Sequence, residues 1–413
     1  MTTLIAAIGG FLFGYDTGVI AGALLFVGPS FGASSADEGW IAAVLVLGAA
    51  LGALTGARVA DRIGRRNTLI ISGVVFAVGA LLCASATNIH FLAAARALGG
   101  VAVGACSIVV PMYISERVEP AKRGRLVTLN SFMIVVGQLA AYCVNSALAH
   151  TANWRLMFLI TAIPGVLLAV GMIFQPDSRP ANEPRQNGAQ IKAERKQALA
   201  QPWVRRTLII AAIIGVIQQI TGVNAIMYFV PTMMNRAGVS VEVSVYTSMI
   251  IGAVSVVTCL IGLLLVDRIG RRTLLSIGLA GTCVCLILVA IFSAHAWTSL
   301  AFMCLFIAFQ QSAVSVVTWL LISELIPAGV RGFGMGLAGL ALWLMNFVVA
   351  QAFLPLLDAA GATATFLIFA GLCAVSFVFV RRFVPETMGR TLAEVEEELK
   401  RAGSPKKAPV GQK

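Results

Sequence analysis

The longest stretch of this chain without a formal charge runs from Thr273 to Ser323 and contains 51 residues. A helix needs about 20 apolar residues to cross a bilayer, so this one stretch is long enough for two crossings. Similar gaps separate many of the other charged residues, and only 12% of the chain is charged whereas 59% is hydrophobic. A soluble chain carries about 25% charged residues. The sequence therefore predicts a polytopic, all-α membrane protein.

The charge gaps predict twelve membrane-spanning helices. Their approximate ranges are 4–28, 39–58, 68–88, 90–114, 126–149, 155–175, 207–234, 243–266, 273–293, 297–322, 332–357 and 362–382. With both termini in the cytoplasm, 27 of the 30 basic residues fall in the inner loops and the tail. This asymmetry follows the positive-inside rule, so the net charge of +12 reflects membrane topology and not nucleic-acid binding. We predict a multi-pass protein of the cell membrane with both termini cytoplasmic.

An internal repeat divides the chain into two halves. The hexapeptide Asp-Arg-Ile-Gly-Arg-Arg at 61–66 returns at 267–272, and Ile-Ser-Glu at 114–116 returns at 322–324. Two parallel six-span repeats are typical of transporters that bind their substrate between the halves, near the bilayer midplane. The predicted organisation is an N-terminal half over 1–176, a cytoplasmic linker over 177–206, a C-terminal half over 207–384 and a cytoplasmic tail over 385–413.

Several motifs along the whole chain resemble those of a known family. The loop pattern Gly-x4-Asp-Arg-x-Gly-Arg-Arg at 56–66 and 262–272 resembles the signature of the major facilitator superfamily. Phe-Gly-Tyr-Asp-Thr-Gly at 13–18, Pro-Met-Tyr-Ile-Ser-Glu at 111–116 and Pro-Glu-Thr-x-Gly-Arg at 385–390 are similar to its sugar-porter branch. Spans 10 and 11 look closest to bacterial inositol transporters. The resemblance implies the major facilitator fold and transport of a sugar or an inositol.

Two regions depart from the family pattern. The linker begins with Pro-Asp-Ser-Arg-Pro at 176–180 and is short, where the family carries a longer helical insert. In span 10 the family's Gly-Pro, three residues before a tryptophan, is replaced by Ser315 and Val316 before Trp319. These departures bring into question the cytoplasmic helical domain and the flexing of span 10.

Asp16 is the only carboxylate deep within a predicted span, and Arg96 is the only basic residue within one. Burying either charge costs about 2.5–3.5 kcal/mol on insertion scales, so such residues usually line a cavity and pair. Counted from the outer span ends, the two residues lie at compatible depths. We predict that Asp16 carries the coupling proton and that Arg96 sets its proton affinity, because a nearby cation favours the ionised carboxylate. In the family, the Asp at this position resembles the proton-coupling residue; a fixed structural ion pair is the alternative.

A second set of candidates consists of amides and aromatic side chains in otherwise apolar spans. Amides donate and accept hydrogen bonds without a charge, which suits a polyol, and an indole offers a flat face to a sugar ring. On one continuous helix Gln218 and Asn224 share a face, and Gln219 points about 100° away from Gln218. Hydrogen bonding between helices is the alternative for every amide. The resemblance favours ligand contact for Gln138, Gln218, Gln219, Asn224 and Trp319, and the predicted substrate-binding set is completed by Phe13, Gln311, Trp343 and Asn346.

Charged residues at the cytoplasmic span ends form a third set, which is repeated in both halves. Positive-inside anchoring explains the arginines but not the acids that recur at fixed spacing, so we predict a cytoplasmic gate that biases a two-state equilibrium. In this hypothesis Glu116 and Glu324 hold the inner ends of the halves closed. The predicted gate residues are Asp61, Arg62, Arg65, Arg66, Glu116 and Arg123 in the first half and Asp267, Arg271, Arg272, Glu324 and Arg331 in the second.

The sequence contains no catalytic constellation, phosphate-binding loop, nucleotide fingerprint or metal-ligand spacing, so we predict that the protein is not an enzyme. The predicted function is secondary active transport by alternating access, in which a proton drives symport of a monosaccharide or inositol-type polyol. A sugar uniporter in which Asp16 is only structural is the main alternative, and a nutrient sensor on a transporter fold is a second. The expected partners are a small neutral polyol and the lipid bilayer, with no nucleic acid, no metal and no cofactor beyond the coupling proton. The protein is expected to function as a monomer.

Overall fold

The computed structural model describes residues 2–117, 120–177, 196–327, 330–390 and 392–403, and most of these are helical. This part of the chain contains eleven helices long and apolar enough to cross a membrane. One of them, Arg331–Phe383, is interrupted at Gly361, whose φ of 77° and ψ of 167° are not helical. Only glycine adopts such angles readily. Two crossings therefore meet at Gly361, and the predicted all-α membrane fold with twelve spans is confirmed.

The first half consists of six helices, one for each predicted span. They are α1 (Thr2–Phe31), α2 (Ser35–Ile63), α3 (Arg65–Ala84), α4 (Ile89–Arg117), α5 (Pro120–Leu148) and α6 (Trp154–Ile173). Within this half α2 packs along α4, α1 packs along α5, and α3 packs along both α4 and α6.

The second half has more breaks in its helices. Its elements are α7 (Pro202–Ile220), α8 (Val223–Arg236), α9 (Val241–Ile269), α10 (Arg271–Ile291), α11 (Ala296–Phe309), α12 (Val316–Leu325) and α13 (Arg331–Phe383), and the tail helix is α14 (Leu392–Gly403). Span 7 is α7 followed by α8, with Gly222 at a left-handed φ of 86° between them. Span 10 is α11 followed by α12, with a π-helical turn over Gln310–Ser315 between them.

Glycines permit the close packing of α2 on α4. A methyl group at Gly48 or Gly52 would lie 2.1 or 2.0 Å from a carbonyl oxygen of α4, and one at Gly100 or Gly104 would collide in the same way with α2. Glycine pairs spaced four apart are a common device for close approach of membrane helices. The contact brings the α2 backbone within reach of side chains on α4.

The two ends of the helix bundle differ in how the halves meet. We call the end that carries Arg65, Arg66, Arg271 and Arg272 the arginine-rich end, and the end that carries Phe31 and Arg236 the opposite end. At the opposite end the halves share one apolar core, in which α1, α2 and α6 pack with α8, α10, α11 and α13. At the arginine-rich end each half has an apolar core of its own.

Polar contacts also join the halves at the opposite end. Arg236, which pairs with Asp358 of its own half at 2.5 Å, donates to the Ser35 hydroxyl of the first half at 3.0 Å. Gln351 of α13 donates to the Ala36 carbonyl of α2 at 3.2 Å. The opposite end is therefore closed by both apolar and polar contacts.

The tail helix α14 packs on the arginine-rich end of the second half, against α7 and α12. Val395 and Leu399 are buried there in the same core as Val204. Residues 178–195 of the predicted linker, 404–413 of the predicted tail and the side chain of Arg123 lie outside the described residues.

Candidate functional site

Asp16 and Arg96 form an ion pair inside the first half, as their predicted depths require. Arg96 Nη2 donates to Asp16 Oδ2 at 3.2 Å, and Arg96 Nε donates to the Ile41 carbonyl oxygen at 2.8 Å. The guanidinium carbon lies 5.8 Å from the centre of the Phe158 ring. Asp16 is 6% exposed and Arg96 is 2% exposed. Four helices, α1, α2, α4 and α6, therefore enclose one buried pair of opposite charges.

The guanidinium of Arg96 is not fully satisfied by this pocket. Its Nη1 has no hydrogen-bond partner among the described residues. A buried donor without a partner costs about 1–3 kcal/mol, more when it is charged. Asp16 is thus the carboxylate that compensates the buried charge of Arg96. A change in the protonation of Asp16 would disturb the arginine and its hydrogen bond to the α2 carbonyl.

In span 7 the amides pair differently from the expectation. Asn224 Nδ2 donates to Gln219 Oε1 at 2.8 Å. The prediction placed Gln218 and Asn224 on one broad face and did not anticipate this contact with Gln219. It assumed a continuous helix, but the chain leaves the helix at Gly222 and starts α8 in a new register. The break turns Asn224 back toward Gln219.

Several buried polar atoms near this break have no protein partner. Among the described residues, no hydrogen bond reaches Gln218 Oε1, Gln310 Oε1, the Tyr228 hydroxyl or either amide atom of Asn346. The Tyr228 hydroxyl and the Asn346 amide lie close enough to interact with each other. Gln310 Nε2 donates weakly to the Gln218 carbonyl at 3.4 Å. Spans 7, 10 and 11 thus present unused donors and acceptors in one region of the second half.

Gln138 lies where the two halves meet. Its Nε2 donates to the Tyr142 hydroxyl at 2.9 Å and lies 3.2 Å from Met227 Sδ. The Tyr142 hydroxyl in turn donates to the Met227 carbonyl oxygen at 3.0 Å. Because Met227 precedes Tyr228 in α8, this short chain of contacts connects α5 of the first half with the unpaired polar groups of the second.

The predicted aromatic residues occupy two different places. Phe13 and Trp343 face each other across the halves, with ring centres 5.2 Å apart and an edge-to-face angle of 73°. Trp319 is 36% exposed and packs against Gly339 on α13. The structure therefore brings Phe13 and Trp343 together and leaves Trp319 as a separate, more exposed side chain on α12.

The π-helical turn over Gln310–Ser315 lies in span 10 where the family's Gly-Pro is missing. It contains both Gln310 and Gln311, which are buried. π-turns inside helices are rare and occur frequently at functional sites. Span 10 thus keeps a local irregularity at this position even though its sequence has neither the glycine nor the proline.

The charged residues at the arginine-rich end form one network in each half. In the first half Arg65 contacts Asp61 at 2.9 Å and Glu116 at 3.1 Å. In the second half Arg271 contacts Asp267 at 3.2 Å and Glu324 at 3.5 Å. Each network ties the loop that follows the second span of its half to the fourth span of the same half.

A carboxylate beyond the last span of each half completes these networks. Asp177 Oδ1 accepts from the backbone N–H groups of Arg65 and Arg66 at 3.1 and 3.3 Å. Glu386 Oε1 accepts from those of Arg271 and Arg272 at 2.8 and 3.4 Å. A carboxylate at a helix N-terminus satisfies free N–H groups and complements the helix dipole. The predicted gate set did not include these two acids.

The remaining predicted gate residues take different positions. Arg66 and Arg272 donate to backbone carbonyl groups at the end of the sixth span of their own half, Ile173 and Arg381. Arg62 and Arg331 form no ion pair within the described part of the chain. In this conformation the contacts resolved for Glu116 and Glu324 connect elements of one half, so the gate remains a prediction about another conformation.

Sequence reasoning missed six residues that the structure places at these sites. They are Tyr142, Met227, Tyr228, Gln310, Asp177 and Glu386. The repeated Pro-acid motif at the end of each half was a visible signal for the two carboxylates. A methionine that offers its backbone carbonyl has no signal in the sequence, because its side-chain type does not determine that contact.

Comparison with known proteins places this chain in a family. The chain matches the family model described as Sugar (and other) transporter over residues 2–399. It is similar to the major myo-inositol transporter IolT of Bacillus subtilis, with 37% identity over 441 residues, 96% of this chain and 93% of that protein. It is also similar to a solved D-xylose–proton symporter, with a TM-score of 0.83 and 27% identity over 94% of this chain and 98% of that one. The inward-open form of the xylose transporter XylE from E. coli matches with a TM-score of 0.82 and 26% identity over 96% and 98% of the two chains.

Proposed function

This chain belongs to the sugar transporter family, and from that membership we propose that it carries a monosaccharide or an inositol-type polyol together with a proton. The protein is a multi-pass membrane transporter and not an enzyme. Support for the substrate class comes from relatives named for myo-inositol and D-xylose.

The observation that carries the proposal is the set of buried polar atoms in spans 7, 10 and 11 that have no hydrogen-bond partner within the described part of the chain. Gln218, Tyr228, Gln310 and Asn346 offer donors and acceptors but no formal charge. A polyol presents hydroxyl groups that donate and accept in the same way. Leaving such groups unpaired is costly, so a ligand that pairs with them is bound selectively.

The Asp16–Arg96 pair supplies the proton site in this proposal. When Asp16 is protonated it becomes neutral, and its attraction for Arg96 falls. Arg96 also holds the Ile41 carbonyl of α2, so the loss of that attraction alters the contact between α4, α1 and α2. A proton at Asp16 thereby changes the packing of the first half, which shares its core with the second half at the opposite end.

We assign the arginine-rich end to the cytoplasm, as the positive-inside rule requires, which makes both termini cytoplasmic. The shared core at the opposite end then closes the outer side. The separate cores at the arginine-rich end fit an inward-facing state, and the similarity to an inward-open transporter supports the same orientation. Because one chain contains all of these groups, we propose that the monomer carries out transport. We also propose that no metal or other cofactor takes part.

The alternative is a uniporter that uses the same polyol site. In that case Asp16 and Arg96 only hold α1, α2 and α4 together. A symporter accumulates its substrate against a gradient when a proton gradient is present, whereas a uniporter only equalises concentrations.

Uptake into proteoliposomes tests the proposal. The purified protein is supplied with labelled myo-inositol, xylose, glucose and galactose, with and without an inward proton gradient. We expect one of these substrates to accumulate above its external concentration, and a protonophore to abolish that accumulation. Uptake that never exceeds equilibration would support the uniporter, and no uptake of any polyol would contradict the substrate class.

A further inference from the structure

A cavity of about 210 Å³ lies at the arginine-rich end of the second half, away from the polyol site. It lies between the start of α7, the start of α10, the end of α13 and the tail helix α14. Its charged and polar lining consists of Arg206, Thr207, Arg272, Arg382 and Glu398. The volume is below the roughly 300–1,000 Å³ of pockets for drug-sized ligands, so it suits a small group.

The lining carries three arginines and one acid. Arg272 uses one guanidinium nitrogen for the Arg381 carbonyl, and its Nε has no acceptor among the described residues. Glu398 forms an ion pair with Arg390, a residue outside the cavity lining. The lining therefore contains more basic than acidic side chains, and guanidinium groups match the geometry of phosphate oxygens.

The first half shows that the repeated loop does not require these arginines. Arg66 is the counterpart of Arg272, and it donates to the carbonyl groups of Met172 and Ile173. Those two residues stand 209 positions before Arg381 and Arg382, so the first half has apolar side chains where the second has arginines. The repeat keeps its backbone contact in both halves, and the positive charge is an addition to the second.

We propose that this cavity binds a phosphate ester, and that the ester belongs to the headgroup of an anionic phospholipid of the cytoplasmic leaflet. The cavity lies at the ends of spans 7, 9 and 12, which places it at the level of lipid headgroups. Basic pockets between span ends on the cytoplasmic side bind the headgroups of anionic lipids. The same chemistry would also accept a soluble phosphate, so the test separates the two sources.

The test compares Arg382→Gln with Arg381→Gln in the full chain. Both variants remove one positive charge at the end of the same helix, but only Arg382 lines the cavity. Binding of phosphatidylglycerol to the detergent-solubilised protein is measured by native mass spectrometry, with phosphatidylcholine as the neutral lipid. Arg206→Gln is a second variant at another wall of the cavity, and inorganic phosphate is tested as a competitor.

We expect Arg382→Gln and Arg206→Gln to lower the affinity for phosphatidylglycerol by about tenfold or more, because each removes a charge-assisted contact. Arg381→Gln should change the affinity for phosphatidylglycerol by less than about twofold, because an exposed charge outside the cavity contributes little to binding. If inorganic phosphate protects the wild type against heating but not Arg382→Gln, while phosphatidylglycerol shows no preference, the ligand is a soluble phosphate. Equal binding by all variants to both probes, or an equal loss in Arg381→Gln, would overturn the proposal.

Discussion

The two halves carry related sequence at the same depth but different chemistry. Gly14-Tyr15-Asp16 in the first half has its counterpart 208 positions later in Gly222-Val223-Asn224. Asp16 pairs with the charge of Arg96, whereas Asn224 pairs with the neutral amide of Gln219. Residues 302–304, which stand 206–208 positions after Arg96, are uncharged. A carboxylate at the position of Asn224 would therefore have no counterpart of Arg96 beside it. The comparison suggests a division of tasks, in which the first half binds the proton and the second half binds the polyol.

The charged networks at the arginine-rich end also differ between the two halves. The side chain of Arg65 is 3% exposed and lies 3.1 Å from Glu116, while that of Arg271 is 14% exposed and lies 3.5 Å from Glu324. Glu324 also accepts a hydrogen bond from the Thr387 hydroxyl at 2.5 Å. Burial strengthens a charge pair and raises the cost of breaking it. The arginine of the motif is thus more deeply buried in the first half, whereas the acid has an additional partner in the second.

The largest effect is expected from Asp16→Asn. If the proton site belongs to the first half alone, this variant should lose accumulation against a gradient but keep exchange of labelled substrate, because exchange needs no net proton movement. Counterflow and uptake in proteoliposomes measure the two activities. Asp358→Asn, which removes another carboxylate paired with an arginine, should retain accumulation. Uphill uptake by Asp16→Asn would show that the division of tasks is wrong.

The next largest effect is expected from Asn224→Ala. The substitution leaves Gln219 without its partner in a buried site, and a lost buried hydrogen bond of this kind costs about 1–3 kcal/mol. We expect the dissociation constant for the transported polyol to rise about tenfold to a hundredfold, with proton coupling intact. Equilibrium binding provides the measurement, and Asn67→Ala at the exposed start of α3 is the matched control. An unchanged constant would mean that the amide pair only joins α7 to α8.

The third prediction compares Glu116→Gln with Glu324→Gln. The first removes one of the two carboxylates that contact the buried Arg65, and we expect a loss of stability of about 1–2 kcal/mol. The second acts on a longer pair whose arginine is more exposed, and we expect a loss below about 1 kcal/mol. Thermal unfolding in detergent measures this difference.

The same two variants also test the predicted gate. If the acids hold the halves together in a conformation closed to the cytoplasm, both variants should make an introduced cavity cysteine more accessible from the arginine-rich end. A change in stability without any change in accessibility would restrict these acids to contacts within a half, as seen here.

The smallest effect is expected from Tyr142→Phe. The variant removes the hydrogen bond between the first half and the Met227 carbonyl, which contributes about 0.5–1.5 kcal/mol. We expect the conformation closed at the opposite end to lose about twofold to tenfold in relative population. Labelling of a cavity cysteine from the outer side measures the shift, and Tyr246→Phe on the exposed face of α9 is the control. No shift would mean that the apolar core alone closes this end.

Much of the fold follows from local properties of the sequence. Charge gaps predicted the twelve spans, because a charge within hydrocarbon is costly wherever it stands in the chain. The same rule isolated Asp16 and Arg96, and their depths alone brought them within reach of one another. Their roles in proton coupling remain a prediction.

The polar contacts of the second half did not follow from the sequence in the same way. The partner of Asn224 depends on a helix break at Gly222, and a single glycine in a span does not reveal whether the helix continues through it. The irregular turn in span 10 forms without the glycine and proline that would have signalled it. Helical spacing predicts which side chains share a face only where the helix is continuous.

The sequence by itself determined the class of the protein, the number of its spans, its repeat and the two charges that must be buried together. These depend on the transfer of each residue from water to lipid, which is a property of the residue and its neighbours in the chain. Only the tertiary structure decided that the acids of the charged loops contact arginines of their own half, and that Met227 offers its carbonyl to Tyr142. Such contacts depend on the rotation and separation of helices far apart in sequence, and several arrangements of nearly equal energy satisfy the same residues.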